Sequence, residues 1–148
     1  MEKNQNQCSL EFIGSVSNKI DLEEAMPVMG VKSKIIIKKE YTTGLLGLDG
    51  YSHIIVIGLL HQFYGSRQEE LLMRSKNKDM FPDQGIFALR GRRINPISFN
   101  ACKLIDISDG IVTVDNLDLI TNTPILDLKP YIPYYDSVET AKIPNWAK

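Results

Sequence analysis

The sequence predicts a single, mainly β domain over residues 1–148, with its strands closed into a barrel or packed as a sandwich. Its 148 residues fit one domain of ordinary size. Apolar residues recur at short intervals along most of the chain, and many are β-branched, which is typical of strands. Turn residues separate these runs, and closure of such a sheet would remove its exposed edges.

Six apolar runs predict the strands of this sheet. The run "SHIIVIGLL" is apolar without alternation, so we expect a central strand that is covered on both faces. The run "IIIKK" ends in two lysines, which favours a strand nearer an edge. Between two further runs, Asp109 and Gly110 supply the positive φ of a tight hairpin turn. The six runs are "EFIGSVS", "KSKIIIKKE", "SHIIVIGLL", "GIFAL", "ACKLIDIS" and "GIVTVDNLDLI".

Helical signals are few. One helix is predicted from Ser66 to about Arg74, because Ser66 and Glu69 have capping-box spacing ahead of apolar residues. The stretch "IDLEEAM" predicts one further helical turn. Prolines at 124, 130, 133 and 144 predict that the last third of the chain wraps the body as extended segments.

Composition excludes several classes of protein. The formal net charge is -1, which is not typical of a wholly basic nucleic-acid binder, so any polyanion site would be a local patch. Cys8 and Cys102 are far apart and predict a reducing compartment rather than a disulfide framework. The longest apolar run, Ile54 to Leu60, has seven residues, against about 20 for a membrane span. We therefore expect a soluble, cytoplasmic protein with no membrane partner.

Common catalytic and metal-binding patterns are absent from the sequence. His53 and His61 lie eight residues apart, about 26 Å along a strand at roughly 3.3 Å per residue, which is too far to share a metal ion. No metal site is predicted. Gly44, Gly47 and Gly50 lack the strand, loop and helix order of a dinucleotide fold and are interpreted as turn glycines. No serine has a nucleophile-elbow context.

The stretch "GIFALRGRRINPIS" carries the strongest charge signal. Arg90, Arg92 and Arg93 fall within four positions, so this stretch is either a solvated loop or a clamp for phosphate or carboxylate. A second basic group consists of Arg74, Lys76 and Lys78. In the stretch that contains Asp115, Asp118 and Asp127, acidic residues alternate with apolar ones. They form either the solvent-exposed face of a strand or a set of partners for ribose hydroxyls or an ammonium group.

Four segments, in this order, resemble the TsaA-like family of S-adenosylmethionine-dependent methyltransferases, also called the TrmO or YaeB family. "FIGSVSN" is similar to its opening strand, and "GLDGYSHIIVIGLLHQF" to its Ser-His strand leading to His-Gln. "GIFALRGRRINPIS" resembles its Phe-Ala-Thr-Arg-Ser-x-x-Arg-Pro-Asn-Pro-Ile-Gly signature. "LDLITNTPILDLKPYIPYYD" resembles its Gly-Thr-Pro-x-Leu-Asp-Ile-Lys-Pro-Tyr-x-Pro segment. The resemblance covers nearly the whole chain.

This resemblance implies a compact, non-Rossmann β-barrel that binds S-adenosyl-L-methionine, as a homodimer with the cofactor near the subunit interface. The implied reaction is methylation of N6 of N6-threonylcarbamoyladenosine at position 37 of a threonine tRNA. The implied cofactor contacts are Pro27, Val28, Met29, His61, Gln62, Arg90, Phe99, Asp115, Asn116, Leu117 and Asp118. The acceptor would face Arg93, Asn95, Asp127, Lys129 and Tyr131, while Arg92, Arg93 and the group from Arg74 to Lys78 would meet tRNA phosphates.

The chain departs from the family pattern at several positions. Met29 stands where the family has Gln, Gly91 where it has Ser, Ile94 where it has Pro, Ser98 where it has Gly, and Asn122 where it has Gly. These departures leave two alternatives open. One is a methyltransferase of the same fold that acts on a small-molecule or other non-tRNA acceptor. The other is a module that binds the cofactor without turning it over.

Overall fold

The structure is a computed structural model that describes residues 8–65, 70–90 and 93–148. These residues form two compact units. The barrel unit contains residues 8–59 and 98–131, and the second unit contains residues 60–97 and 132–148. The single domain expected over residues 1–148 stays a prediction.

The barrel unit is a closed six-stranded sheet, which confirms the predicted β-barrel. Its strands follow the order β1-β2-β7-β6-β3-β8 around the barrel. They are β1 (Gly14–Ser17), β2 (Val31–Ile37), β3 (His53–Leu59), β6 (Ile97–Ser108), β7 (Ile111–Leu117) and β8 (Pro124–Pro130). The second unit contains the short strands β4 (Leu72–Met73) and β5 (Gln84–Gly85) and the helix α1 (Pro133–Asp136).

The barrel core consists of the inward side chains of all six strands. Val16, Ile35, Ile54, Val112 and Ile125 are each at most 1% exposed. All five are β-branched, and such side chains pack well on a pleated surface. Strand β8 closes the barrel, because it pairs antiparallel with β1 on one side and with β3 on the other.

The closed barrel tests two predictions, that β3 is central and that β2 lies near an edge. The expectation of a central β3 is confirmed, since Ile54, Ile55 and Val56 are all buried. The expectation that "IIIKK" lies near an edge is wrong. Strand β2 pairs with both β1 and β7, and its lysines follow the end of the strand at Ile37.

The hairpin predicted at Asp109 and Gly110 is confirmed. Both residues have positive φ, 51° and 74°, as a two-residue turn between right-twisted strands requires. The turn joins β6 to β7 with Ser108 opposite Ile111.

The predicted helix from Ser66 to Arg74 is wrong over its described part. Residues 66–69, which include the capping box, lie outside the described residues. Leu72 and Met73 form β4, which pairs with β5, and both side chains are exposed. An amphipathic helix needs a core to cover its apolar face, and these apolar residues are instead at the surface.

Other local predictions met mixed outcomes. "GIFAL" is not a strand, because Ile86–Ala88 forms a 3₁₀ turn after β5. The turn expected in "IDLEEAM" is confirmed as a 3₁₀ turn at Glu23–Ala25. The glycine-containing stretch after β2 forms further 3₁₀ helices, Lys39–Leu45 and Leu48–Gly50. The expectation that the last third of the chain wraps the body as extended segments is wrong in part. Pro124–Pro130 is the barrel strand β8, helix α1 begins at Pro133, and a 3₁₀ turn follows Pro144.

Among the helices of the described residues, none has the length and apolar character that crossing a membrane would require.

The closeness of β1 to β2 gives a stability prediction. A Cβ on Gly14 would lie 2.3 Å from the carbonyl oxygen of Ile36, and backbone cannot move away cheaply. We expect Gly14→Ala to lower the free energy of unfolding by about 2 kcal/mol or more, as measured by urea denaturation. Gly44→Ala is the control, because nothing lies within 4 Å of its added Cβ. Equal stabilities of the two variants would contradict the close approach.

Candidate functional site

The run from Asp115 to Asp118 forms an irregular end of β7. The pairing with β2 shifts register between Val31 opposite Leu117 and Ser33 opposite Val114, so β7 has one extra residue there, as in a β-bulge. Asn116 has a left-handed φ of 62°, and its N–H donates to the carboxylate of Asp115 at 3.0 Å. Leu117 is buried, whereas Asp118 is exposed. The bulge thus separates an anchoring apolar residue from polar side chains that face outward.

Gly30 brings the segment Pro27–Met29 to this irregular end. Its N–H donates to the carbonyl oxygen of Pro27 at 2.8 Å, and its φ is 73°. A Cβ at this position would lie 2.5 Å from the carbonyl carbon of Leu117 and 2.8 Å from the nitrogen of Asp118. Two segments predicted to bind the cofactor therefore touch through a glycine. The turn also leaves Val28 and Met29 exposed.

Asn18 supports the same region, although the sequence did not predict it as a site residue. Its side-chain amide donates to Ser33 Oγ and to the carbonyl oxygen of Leu119, both at 2.9 Å. Its Oδ1 accepts from the N–H of Ile20 at 2.9 Å. These bonds fix the chain that follows Asp118. The signal available in the sequence was an asparagine at the end of the opening-strand motif "FIGSVSN".

Cys102 lies beneath this region but offers no nucleophile. Its Sγ is 3.6 Å from the carbonyl oxygen of Asn116, and the side chain is fully buried. Burial, with a smaller contribution from the charge of Asp115, raises the pKa of the thiol to about 12. The thiol therefore stays protonated at neutral pH.

Phe99, another predicted cofactor contact, lies on β6 and is 53% exposed. Its neighbour Ser98 links β6 to β3, because Ser98 Oγ accepts from the N–H of Gly58 at 3.1 Å and donates to the Gly58 carbonyl at 3.2 Å. The serine that departs from the family pattern thus has a structural role at a register shift of β3.

The predicted acceptor residues on β8 and just after it form a charged pair and an aromatic contact. Lys129 Nζ lies 2.7 Å from Asp127 Oδ2, and this hydrogen bond raises the pKa of Lys129. The Tyr131 ring lies edge-on to His53, with centroids 6.5 Å apart. The Nδ1 of His53 in turn lies 2.9 Å from Ser52 Oγ.

A cavity of about 600 Å³ lies in the barrel unit beside β8. Its walls come from β8 and from the 3₁₀ segments between β2 and β3, and include Tyr41, Leu45, Leu46, Leu48, Tyr51 and Asp127. Of the described residues that line it, only Asp127 was predicted as a site residue. The cavity is not predicted by the sequence pattern, because its glycines and leucines indicate no more than a turn.

In the second unit, His61 and Gln62 follow the end of β3. Gln62 is exposed, whereas the Nδ1 of His61 is buried and has no hydrogen-bond partner among the described residues. Buried imidazole nitrogens ordinarily find a partner, because leaving one unsatisfied costs about 1–3 kcal/mol. A buried Nδ1 without a partner at a predicted cofactor position is consistent with His61 forming a hydrogen bond to a bound polar ligand.

Arg93 is bound within its own loop. Its Nη1 donates to the carbonyl oxygens of Ile86 and Leu89 at 3.0 and 2.6 Å. Its guanidinium carbon lies 5.3 Å from the centroid of the Phe87 ring. Arg93 thus closes the 3₁₀ turn that precedes Arg90, which is exposed. The acceptor contact proposed for Arg93 stays a prediction.

The other predicted contact residues of the second unit that the structure describes are at its surface. Asn95 is exposed, and Arg92 lies outside the described residues. Lys78 pairs with Asp83 at 3.3 Å. The N–H of Ser75, at 2.9 Å, and then Lys78 hold the pKa of Asp83 below its usual value. The charge of Lys78 is therefore partly compensated, whereas Arg74 and Lys76 are exposed cations.

Within the described ranges, His, Cys, Asp and Glu side chains form no group of three or more that could hold a metal ion.

Comparison with known proteins identifies relatives along most of the chain. The family model of the tRNA-methyltransferase O N-terminal domain matches residues 22–137. A probable S-adenosyl-L-methionine-binding protein of Pyrococcus abyssi is 29% identical over 81% of this chain and 63% of its own length. The tRNA (adenine(37)-N6)-methyltransferase of Mus musculus is 31% identical over 68% of this chain and 23% of its own length.

Solved structures agree with this match. A crystal structure of TrmO superposes with a TM-score of 0.76 at 25% identity, covering 93% of this chain and 63% of that protein. The chain thus spans less than two thirds of the length of these relatives.

The loop contacts of Arg93 give a prediction about local order. In Arg93→Ala, the turn loses two hydrogen bonds, so the N–H of Leu89, which donates to Ile86, should exchange with solvent about tenfold faster. Hydrogen-deuterium exchange by NMR measures this rate. Arg74→Ala, which removes an exposed arginine of the same unit, should leave Leu89 unchanged. Unaltered exchange in Arg93→Ala would show that Arg93 does not hold the turn.

Proposed function

The chain belongs to the family of the tRNA-methyltransferase O N-terminal domain, and from this membership we propose that it is an S-adenosylmethionine-dependent methyltransferase that acts on an adenine N6 in tRNA. One observation carries the proposal: the matched residues 22–137 include every residue predicted to bind cofactor or acceptor. The name of the mouse relative, tRNA (adenine(37)-N6)-methyltransferase, supports the acceptor atom. The finer proposal is methylation of N6-threonylcarbamoyladenosine at position 37.

Polar groups at the predicted positions fit S-adenosyl-L-methionine. Its ribose hydroxyls and ammonium group need acceptors, which the carboxylates of Asp115 and Asp118 supply. Its many polar atoms can also satisfy the buried Nδ1 of His61. We assign binding to Pro27, Val28, Met29, Phe99, Asp115, Asn116, Leu117 and Asp118 in the barrel unit, and to His61, Gln62 and Arg90 in the second unit.

Methyl transfer requires mainly that the protein orient the cofactor and the acceptor. When bound, S-adenosyl-L-methionine supplies a methyl group on a positively charged sulfonium, which a nucleophile displaces in line. An adenine amine is a weak nucleophile and must lose a proton, so the protein has to hold it and offer a proton acceptor. Asp127 offers a carboxylate for this role. Arg93, Asn95, Lys129 and Tyr131 complete the residues that we assign to the acceptor.

For a tRNA acceptor, phosphates would meet the basic residues outside the barrel. These are Arg92, Arg93 and the group from Arg74 to Lys78, and their use would make binding strongly salt-dependent. We propose that the protein acts in the cytoplasm as a homodimer, as the family resemblance implies.

A second candidate function is cofactor binding without methyl transfer. Two archaeal relatives, from Pyrococcus abyssi and Archaeoglobus fulgidus, are named as probable S-adenosyl-L-methionine-binding proteins. These names state binding of the cofactor and do not mention methyl transfer. Catalysis of any methyl transfer would exclude this function.

Incubation with methyl-labelled S-adenosyl-L-methionine tests the proposed function. The purified protein is given two pools from its host, total tRNA and a small-molecule extract. We expect label in tRNA, and nuclease digestion should place it on a modified adenosine. Label only in the small-molecule pool would indicate a different acceptor, and binding without label in either pool would favour the cofactor-binding function.

The two histidines give a matched prediction about the cofactor. His61→Phe removes a buried nitrogen that has no partner in the described chain, so we expect the free energy of unfolding to rise by about 1 kcal/mol. The same variant should lose about tenfold in S-adenosyl-L-methionine affinity, as measured by calorimetry. His53→Phe is the control, because its Nδ1 has Ser52 as a partner and it is not assigned to the cofactor. An unchanged affinity in His61→Phe would contradict its assignment.

A further inference from the structure

The second unit carries an excess of positive charge. Its residues, 60–97 and 132–148, include nine of the 17 lysines and arginines of the chain and six of its 18 aspartates and glutamates. Its formal net charge is therefore +3, whereas that of the other residues is -4. A basic region in a chain of nearly neutral total charge is typical of a local surface that binds a polyanion.

The most exposed aromatic side chains lie in the same unit. Among the described residues, Tyr64, Phe87, Tyr134 and Tyr135 are 71, 72, 91 and 81% exposed, and all four belong to the second unit. Aromatic side chains are usually well buried, because their apolar surface is large. Exposed aromatic rings combined with basic residues are the features by which proteins bind unpaired nucleotides.

Tyr134 and Tyr135 extend from an ordered turn. Helix α1 (Pro133–Asp136) begins with a proline, whose fixed φ suits the first helical position. The N–H groups of Tyr135 and Asp136 donate to the carbonyl oxygen of Ile132 at 2.9 and 2.8 Å. The Asp136 carboxylate accepts from the N–H of Ile132 at 2.7 Å. These bonds hold the backbone without using either tyrosine ring, so little backbone freedom remains to be lost when a ligand contacts the rings.

The two tyrosine rings leave the turn in different directions. Neighbouring residues of a helical turn are about 100° apart around its axis, so a base that stacks on Tyr134 leaves the ring of Tyr135 available to another base. Every nucleobase has a flat face, so stacking on an aromatic ring tolerates different bases. Bases in RNA loops can be splayed apart to stack in this way, whereas the bases of a paired stem are already stacked. The turn therefore fits two unpaired bases of an RNA loop.

We propose that Tyr134 and Tyr135 stack on unpaired bases of the tRNA loop that carries the acceptor, other than the base that is methylated. The inference rests on the proposed function, because it names the part of tRNA that the second unit binds. Position 37, which the name of the mouse relative gives for the modified adenine, lies in the single-stranded anticodon loop of a tRNA. Phosphate contacts alone give affinity for loops and stems alike, so the tyrosines select the loop.

Fluorescence anisotropy with a labelled RNA hairpin and the full chain tests the proposal. The hairpin has the anticodon stem and loop of the host's threonine tRNA, and a duplex of the same stem without the loop is the comparison. We expect the natural chain to bind the hairpin about tenfold more tightly than the duplex. Tyr134→Ala combined with Tyr135→Ala should lower hairpin affinity about tenfold and leave duplex affinity unchanged. Tyr134→Phe combined with Tyr135→Phe keeps both ring faces and should keep hairpin affinity.

Two further measurements separate stacking from charge and from general apolar contact. The double alanine variant should keep the slope of log affinity against log salt, whereas Arg74→Ala combined with Lys76→Ala should reduce this slope by about two. Val138→Ala removes an apolar side chain of the same unit that is 67% exposed but has no ring, so it should bind the hairpin as the natural chain does. If the double alanine variant fails to fold, Tyr134→Ala alone should show a smaller loss of the same kind.

Three outcomes would overturn the proposal: equal affinity of the natural chain for hairpin and duplex, undiminished hairpin binding by the alanine variants, or an equal loss in Val138→Ala. The third would indicate a general apolar surface, such as one that contacts a second copy of this chain. Failure of the proposed function is detected separately, as absence of label in tRNA in the labelled-cofactor assay. Label in tRNA together with undiminished hairpin binding by the alanine variants would remove this inference alone.

Discussion

The pairing of β8 with both β1 and β3 is the constraint on which the rest of the barrel depends. On one side Gly14 lies opposite Ile125, and on the other four residues of β3, Ile54 to Ile57, pair with β8 in one register before a shift at Gly58. The join with β1 is short, but backbone bonds from Ile13 to Ile125 and from Val16 to Thr123, at 2.8 and 3.0 Å, extend it. Without this strand, β1 and β3 would each present an unpaired edge. Closure also fixes the place of Asp127 and Lys129, which lie two residues apart on β8, opposite Ile57 and Ile55 of β3, so that both side chains are on the same face of the sheet.

The residues that we propose as cofactor contacts at the end of β7 lie where the strand geometry is irregular. The extra residue at the end of β7 puts Asn116 in the left-handed region, and Gly30 lets a second segment approach its backbone. Bulges redirect side chains and end pairing, which makes them common beside functional sites. Asn18 then holds the chain after Asp118 by side-chain hydrogen bonds. The backbone that carries Asp115 and Asp118 is therefore held by the bulge, by the close approach of Gly30 and by the hydrogen bonds of Asn18. Little conformational freedom remains to be lost when a ligand binds there.

Strands, the hairpin and the family could be predicted from the sequence because each depends on local patterns. The apolar run of β3 indicates a buried strand, and Asp109-Gly110 indicates a tight turn, without reference to distant residues. The wrong predictions depend on contacts between distant parts of the chain. The lysines after β2 indicate an edge strand, but closure of the barrel gives β2 a neighbour on each side. The apolar residues 71–73 indicate a helix packed on a core, but their side chains are exposed. Some departures from the family pattern also have structural reasons. Asn122 replaces a glycine at a φ of 63°, where asparagine is one of the few tolerated residues. Ser98 replaces a glycine and instead bonds the backbone of Gly58.

The three neighbouring arginines illustrate why charge alone does not assign a role. The sequence presents Arg90, Arg92 and Arg93 as equivalent cations, yet both Nη1 bonds of Arg93 go to carbonyl oxygens of its own turn, and its guanidinium packs on Phe87. A planar guanidinium can do this because its donors are arranged in a fixed fork, which lysine lacks. Arg93 then acts first by shaping the loop that carries Arg90. In the proposed function, the loop and an anionic acceptor would share this one side chain. Binding of the acceptor would therefore depend on a turn already closed by Arg93, and the loop would be organised before the acceptor arrives.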